Sequence, residues 1–417
     1  MSQYFRRFRD TEPFANPVDA ILADIAANIQ LPPGLHAKSE SRYEAVRNYT
    51  ERDGSPLEGR VLRFYPQGSM AIDATISTRG TDEEYDLDIV AELDIEVDAD
   101  PQAALDLLHA SLRGYPTAKR VERQTRCVTV RYSDGMHLDI TPAVRIPGES
   151  DRVSNIFHAN PDEAPQNHYR KRMNAWAFAE WYRKRTPREL WFTEAFNKRV
   201  WDAFRTRAAA EVEEVPDQIP LPVKNTATVA LQLLKRFRNI VYAGSTSRIP
   251  PSVLMSCFAG YTARPGVSLS EMVIAQARFV AQAIDAASAR GERVSVRNPM
   301  YPEDCFTDRW PETLAQQDYF AAKLTDLADG LEKMKVSDMS LEEMRDWLRE
   351  QFGERVVSRS IEQFNDRVGR AVRLATPGYT RSGGLLVPEK KSIIGSLAVS
   401  SVPSAARPHT FYGGVKL

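Results

Sequence analysis

In the stretch "YPQGSMAIDATISTRGTDEEYDLDIVAEL", Tyr65 to Leu93, two aspartates stand one residue apart, Asp86 and Asp88. The residues around them alternate and are β-branched enough to form a strand. Successive strand side chains point to opposite faces, so the two carboxylates share one face, about 7 Å apart at their Cα atoms. Bare carboxylates that close repel, and one of them tends to stay protonated. A divalent cation removes that penalty, and hard oxygen donors suit Mg²⁺, or Mn²⁺ in its place. Asp139, in "MHLDITPAV", lies on a later strand and can converge on the same face. A third carboxylate would complete a two-metal site with ions roughly 4 Å apart, one activating an attacking hydroxyl and the other steadying a leaving pyrophosphate. Asp139 is then the candidate that helps draw the proton from that hydroxyl. Gly68 and Ser69 precede the pair at a strand-to-helix turn. Glycine there lets the backbone approach a phosphate closely, and N–H groups with the Ser69 hydroxyl can hold a triphosphate. A phosphate cradle beside a metal site is the layout of nucleotidyl transfer.

Each signal alone is weak. Gly-Ser pairs are mostly ordinary turns, acidic residues guard many edge strands, and sugar-nucleotide transferases also use D-x-D. The order of all three features is what favours the chemistry. "TDEEYD" reads as a solvated acidic loop. His137 shares the strand face of Asp139 and is assigned a packing or surface role, since the six histidines show no metal-ligand spacing.

The elements that must position these residues follow from periodicity. Helical spacing is predicted over Val18 to Leu31 and His36 to Glu51, then a short strand in "RVLRFYPQGS", the aspartate strand, and a helix in "PQAALDLLHASLRGY". "RCVTVRYSDGMHLDITPAV" reads as two strands turning at Asp134 and Gly135. A loop is expected from Pro147 to Pro165. Beyond it helices dominate: His168 to Lys184, Arg188 to Glu214, Lys224 to Val241, Pro251 to Tyr261, Ser268 to Arg290, Asp308 to Met334 and Leu341 to Ala371. The fold class is α+β. The division is helices packing on the core over 1–60, a catalytic core over 61–165, a helical lobe over 166–372, and a Gly/Pro/Ser-rich flexible tail over 373–417.

Composition narrows the partners. The chain's 417 residues give ample core for two lobes. With 55 basic and 56 acidic residues the net charge is −1, which gives no case for wrapping a long nucleic acid. Cys127, Cys257 and Cys305 lie far apart and form neither a disulfide framework nor a zinc motif. No apolar run approaches the roughly 20 residues that span a bilayer, and the start lacks a secretory h-region. A cytoplasmic protein is expected.

The series "QGSMAIDATI", "YDLDIV", "HLDITPA", "ALQLLKRFRNIVY", "IPPSVLMSCFAGY" and "RNPMYPEDCFTDRW" resembles the bacterial CD-NTases, relatives of cyclic GMP-AMP synthase and the oligoadenylate synthases. The resemblance covers about residues 15 to 370. It implies a polymerase-β-like nucleotidyltransferase core with a helical C-terminal lobe, and Mg²⁺-dependent synthesis of cyclic di- or trinucleotides, or linear oligonucleotides, from ATP, GTP or pyrimidine triphosphates. It also implies a second messenger of antiphage (CBASS-type) defence, with regulatory or tail-modifying operon proteins as partners. Residue by residue, Gly68 and Ser69 match the donor-phosphate motif with Gln67 before it, and Asp86, Asp88 and Asp139 match the metal carboxylates. Lys235 matches a lysine that reaches the triphosphate, and Ser252 a phosphate-contacting serine. Asp304 and Cys305 depart from the Glu-Asn or Asn-Asn of the family's NP…E-N-F…W box. No zinc insertion is present, so activation by DNA is not expected. The other two readings are a template-independent nucleotidyltransferase acting on RNA or a small molecule, and a catalytically silent scaffold or sensor.

Overall fold

The computed structural model describes residues 13–14, 16–77, 85–211, 224–336 and 339–374, with the pairs 378–379 and 385–386. A seven-stranded sheet carries the first half. Its strands are β1 (Val61–Pro66), β2 (Tyr85–Leu93), β3 (Arg120–Arg123), β4 (Val128–Arg131), β5 (Met136–Arg145), β6 (Ser154–His158) and β7 (Tyr169–Met173). The order is β1-β2-β5-β4-β3, with β6 beside the far end of β5 and β7 beside β6. β2 and β5 run parallel in a register that sets Asp86 opposite His137 and Asp88 opposite Asp139. The other pairs are antiparallel.

The period of two divides the sheet. Leu87, Ile89 and Ala91 of β2 join Leu138 and Ile140 of β5 in one buried cluster. Helix α1 (Pro17–Asn28) is followed by α2 (Pro33–Thr50) and a single-turn α3 (Gly68–Ala71). Helix α4 (Pro101–Leu112) follows β2. Val46 of α2 and Leu108 and Leu112 of α4 cover the Leu87 face, so the aspartates must look the other way.

The remaining helices are α5 (Ala175–Arg185), α6 (Leu190–Glu211), α7 (Thr226–Val241), α8 (Ser252–Thr262), α9 (Leu269–Ser288), α10 (Leu314–Val336), α11 (Leu341–Phe352) and α12 (Glu354–Leu374). They share one large core in which α7 is the spine, buried from Thr226 through Arg238. A side chain such as Leu231 or Phe237, with no exposed surface, contributes about 2 kcal/mol by leaving water.

Four expectations need correction. His168 to Met173 is not the start of a helix: the run "YRKRM", with three consecutive cations at Arg170 to Arg172, forms the edge strand β7, and the helix begins after the Asn174 cap. The loop from Pro147 to Pro165 contains β6. Leu341 to Ala371 is two helices, because Gly353 takes φ +94° between them and a Cβ there would press on Arg236. Finally, α1 packs among the helices of the second half, whereas α2 alone lies on the sheet. Asp24 of α1 is buried there between Arg199 (2.7 Å) and Arg367. The acidic loop over 81–84, the tail over 387–417 and its modification lie outside the described residues. From the tail only an antiparallel pairing of Gly378–Tyr379 with Leu385–Leu386 is described.

Candidate active site

A cavity of about 630 Å³ opens between the sheet and the helices. Gln67, Gly68, Ser69, Asp86 and Asp88 line it together with Lys235 and Ser252 of the helical half. Seven of the eight residues chosen from the sequence thus meet at one place. Asp139 lies one strand deeper, beside Asp88 in register, and is not part of the lining.

Gly68 has φ +59°, and a Cβ on it would overlap Asp88 Oδ2. The turn and the carboxylate are therefore in contact, and only glycine permits it. The Gln67 N–H donates to the Asp88 carbonyl (2.8 Å), extending the β1–β2 ladder into the turn. Gln67 Nε2 donates to Thr141 Oγ1 (3.3 Å), and Ser69 Oγ accepts from Thr75 Oγ1 (3.4 Å). Ser252 is the first residue of α8, and its hydroxyl accepts from Arg238 Nη1 (2.7 Å).

The charges are out of balance with their surroundings. Burial, then the charges of Asp86 and Asp139, push the Asp88 carboxyl up to about 7. Burial likewise pushes Lys235 down to about 7, with Arg238 adding repulsion. Its ammonium rests on the Ala74 carbonyl (2.9 Å). Burial raises Asp139, partly offset by the hydrogen bond it accepts from Thr129 Oγ1 (2.6 Å). His137, given a packing or surface role in sequence, is buried, and its Nε2 stands 2.6 Å from Asp86 Oδ1. Burial, the largest influence, works against charge on that ring, but the hydrogen bond to Asp86 and the charges of Asp86 and Asp139 together outweigh it and the net shift is upward.

Among the described residues no three acidic, histidine or cysteine groups stand grouped as a ready metal cage. Asp86 is turned to His137 and Asp139 to Thr129. The donor chemistry nevertheless fits a hard divalent cation. All three donors are carboxylates, the central one is destabilised by its own neighbours, and the Asp86 side chain is 58% exposed and so meets little resistance to rotation.

The cavity's far end holds charged residues that the sequence did not single out. Lys171 of β7 pairs with Asp304 (3.1 Å), and Arg126 pairs with Asp308. Asp304, set aside as a departure in sequence, is buried and also accepts from Asn298 Nδ2 (3.1 Å). Arg238 could have been found, since it sits three residues after Lys235 on one helix face. Thr129 could not, because its partner is set by strand pairing.

A sequence family described as the Second Messenger Oligonucleotide or Dinucleotide Synthetase domain matches residues 17–167. The chain is 55% identical over 406 residues to "Cyclic dinucleotide synthase CdnG" of Bradyrhizobium diazoefficiens, covering 97% of each. The chain belongs to the CD-NTase family. The solved structure of that Bradyrhizobium CD-NTase in complex with GTP superposes with a TM-score of 0.76 at 55% identity, covering 85% of this chain and 99% of the other. "c-di-GMP synthase" of Roseivirga ehrenbergii is 22% identical over 399 residues, covering 94% of this chain and 96% of the relative. An Escherichia coli CdnC structure matches at 14% identity with a TM-score of 0.52, covering 80% of this chain and 97% of the other, and speaks for the fold alone. This CD-NTase is thus a nucleotidyltransferase with a polymerase-β-like core, and Asp86, Asp88 and Asp139 occupy its sheet between the two lobes. No described helix is long and apolar enough to cross a membrane.

Proposed function

We propose that this chain joins nucleoside triphosphates, GTP among them, into a cyclic di- or trinucleotide second messenger, using Mg²⁺ at Asp86, Asp88 and Asp139. The observation that carries the reading is the register of Asp88 against Asp139, one strand apart, under a glycine turn that touches Asp88. The relative's complex with GTP supports the choice of substrate. Service of the product in antiphage defence belongs to the same proposal.

The residues divide the work. The Gly68–Ser69 turn holds the donor triphosphate through its N–H groups and hydroxyl, and a phosphate arriving beside Lys235 restores the charge that burial disfavours. Bound Mg²⁺ would neutralise triphosphate charge and make an attacking ribose hydroxyl more acidic. Asp139, whose carboxyl burial raises in the metal-free site, is the residue we assign to receive the proton of that hydroxyl. The hydroxyl oxygen forms a bond to the α-phosphorus, the bond to the pyrophosphate breaks, and repetition closes the ring. Ser252 and Arg238 form a second polar contact in the helical half, where Ser252 can meet a phosphate oxygen.

Incubation with the four ribonucleoside triphosphates and Mg²⁺, followed by phosphatase treatment and mass spectrometry, tests this. A phosphatase-resistant cyclic product is expected from wild type and none from Asp86→Ala/Asp88→Ala. Triphosphates left intact by wild type would defeat the reading.

A further inference from the structure

The wall that bears Gly68 and Ser69 is gripped from behind by the other lobe. From Ala71, the last residue of α3, the chain runs on through residues 72–77, and four carbonyls between 71 and 75 receive side-chain donors. Arg183 of α5 donates to the Ala71 carbonyl. Lys224, just before α7, donates to that of Asp73. Within α7, Lys235 donates to Ala74 O (2.9 Å) and Gln232 to Thr75 O (2.7 Å). Every donor comes from the helical half of the molecule; every acceptor is backbone of the turn.

The gripped segment in turn fixes the cradle. The Ala74 N–H donates to the Ser69 carbonyl (2.9 Å), and Thr75 Oγ1 to Ser69 Oγ (3.4 Å). Asp73 sits at φ +55° without being glycine, a conformation that persists only where surroundings over-determine it. Placing a buried ammonium on a neutral carbonyl is costly, as at Lys224, which burial lowers to about 8. Neither Arg183 nor Lys224 lines the cavity, so direct contact with a ligand does not explain them.

We infer that Arg183 and Lys224 are positioning residues for nucleotidyl transfer: they hold the backbone behind Gly68–Ser69 at the angle the donor triphosphate needs, tying the cradle to the helical lobe. This rests on the function proposed above.

Arg183→Met, Arg183→Lys and Lys224→Met decide it, through titration with a non-hydrolysable GTP analogue plus Mg²⁺ and through steady-state pyrophosphate release. Arg183 is exposed, so its variants should fold. Arg183→Met should weaken analogue binding and raise the KM for triphosphate by about tenfold, with a smaller change in kcat, since a cradle misplaced by a fraction of an ångström binds its ligand poorly. Arg183→Lys keeps a cationic donor and should recover most of the loss. Lys224→Met should lose at least as much as Arg183→Met. Circular dichroism separates loss of fold from loss of position, and if Lys224→Met does not fold, the Arg183 pair decides. Folded methionine variants that bind and turn over as wild type does would overturn the inference, as would Arg183→Lys failing as badly as Arg183→Met. If wild type itself neither binds the analogue nor releases pyrophosphate, the nucleotidyl-transfer reading fails, and the inference goes with it.

Discussion

Gly68→Ala separates the two demands placed on that residue. The first is backbone strain: an alanine at φ +59° costs about 1–2 kcal/mol. The second is space. The new Cβ would overlap Asp88 Oδ2 and lie 3.0 Å from Cγ and 3.2 Å from Cβ, where ordinary contact begins at 3.4 Å. Because Asp88 Cβ is itself too close, rotating the carboxylate does not clear the overlap, and turn and strand must part. A displacement approaching 1 Å at a reacting centre costs on the order of a hundredfold in rate. Gly59 provides the control: its φ is +65°, and no atom lies within 4 Å of an added Cβ. Gly59→Ala should lower the melting temperature by a few degrees at most and leave kcat/KM within about threefold, its strain lying away from the cavity. Gly68→Ala should lose more stability than Gly59→Ala, because the overlap with Asp88 adds to the strain, and about a hundredfold in kcat/KM, measured as pyrophosphate release well below either melting point. Equal activity in the two variants would refute contact with Asp88 as the reason for glycine at 68.

Three further outcomes follow from named contacts. Asp88 titrates near 7 in the metal-free protein, above its unfolded value of 3.8, so its contribution to stability is present at low pH and lost as pH rises through about 7. Protons and Mg²⁺ compete for it, so the Mg²⁺-induced rise in melting temperature should be larger at pH 8 than at pH 6; a pH-independent rise would contradict this. Thr129→Val removes the donor to Asp139 (2.6 Å) and should weaken Mg²⁺-dependent activity about tenfold, with the melting temperature little changed. Asp24→Ala leaves Arg199 and Arg367 without their shared carboxylate in a buried site, and should cost about 3–5 kcal/mol in chemical denaturation; a cost under about 1 kcal/mol would show that the triad contributes little.

The shared face of the aspartates was legible because it rests on the strictest periodicity a chain has. A strand alternates faces residue by residue, so Asp86 and Asp88, alternating with Leu87 and Ile89, fixed both the sheet face and the buried face. The parallel pairing with β5 carries no local signal, yet the same alternation around Asp139 led to the right face. Long-range choices were less visible. "YRKRM" carries three cations in a row, which gives no strand alternation, and it becomes a strand because β6 lies beside it. Asp19 of α1 reaches the Ser270 N–H in the helical lobe (2.7 Å), a contact 251 residues away that periodicity cannot express. The contact of His137 with Asp86 crosses a strand pair, and Arg183 and Lys224 hold carbonyls, which every residue has, so none of the three carries a local signal.

The central claim is that Asp86, Asp88 and Asp139 gather divalent metal beneath a bound triphosphate. Crystals grown with Mn²⁺ and a non-hydrolysable GTP analogue test it most directly. Anomalous density within coordination distance of all three carboxylates, beside phosphates resting on the Gly68–Ser69 turn, is the predicted result. Ordered nucleotide in the cavity with Mn²⁺ absent from those oxygens would contradict the account.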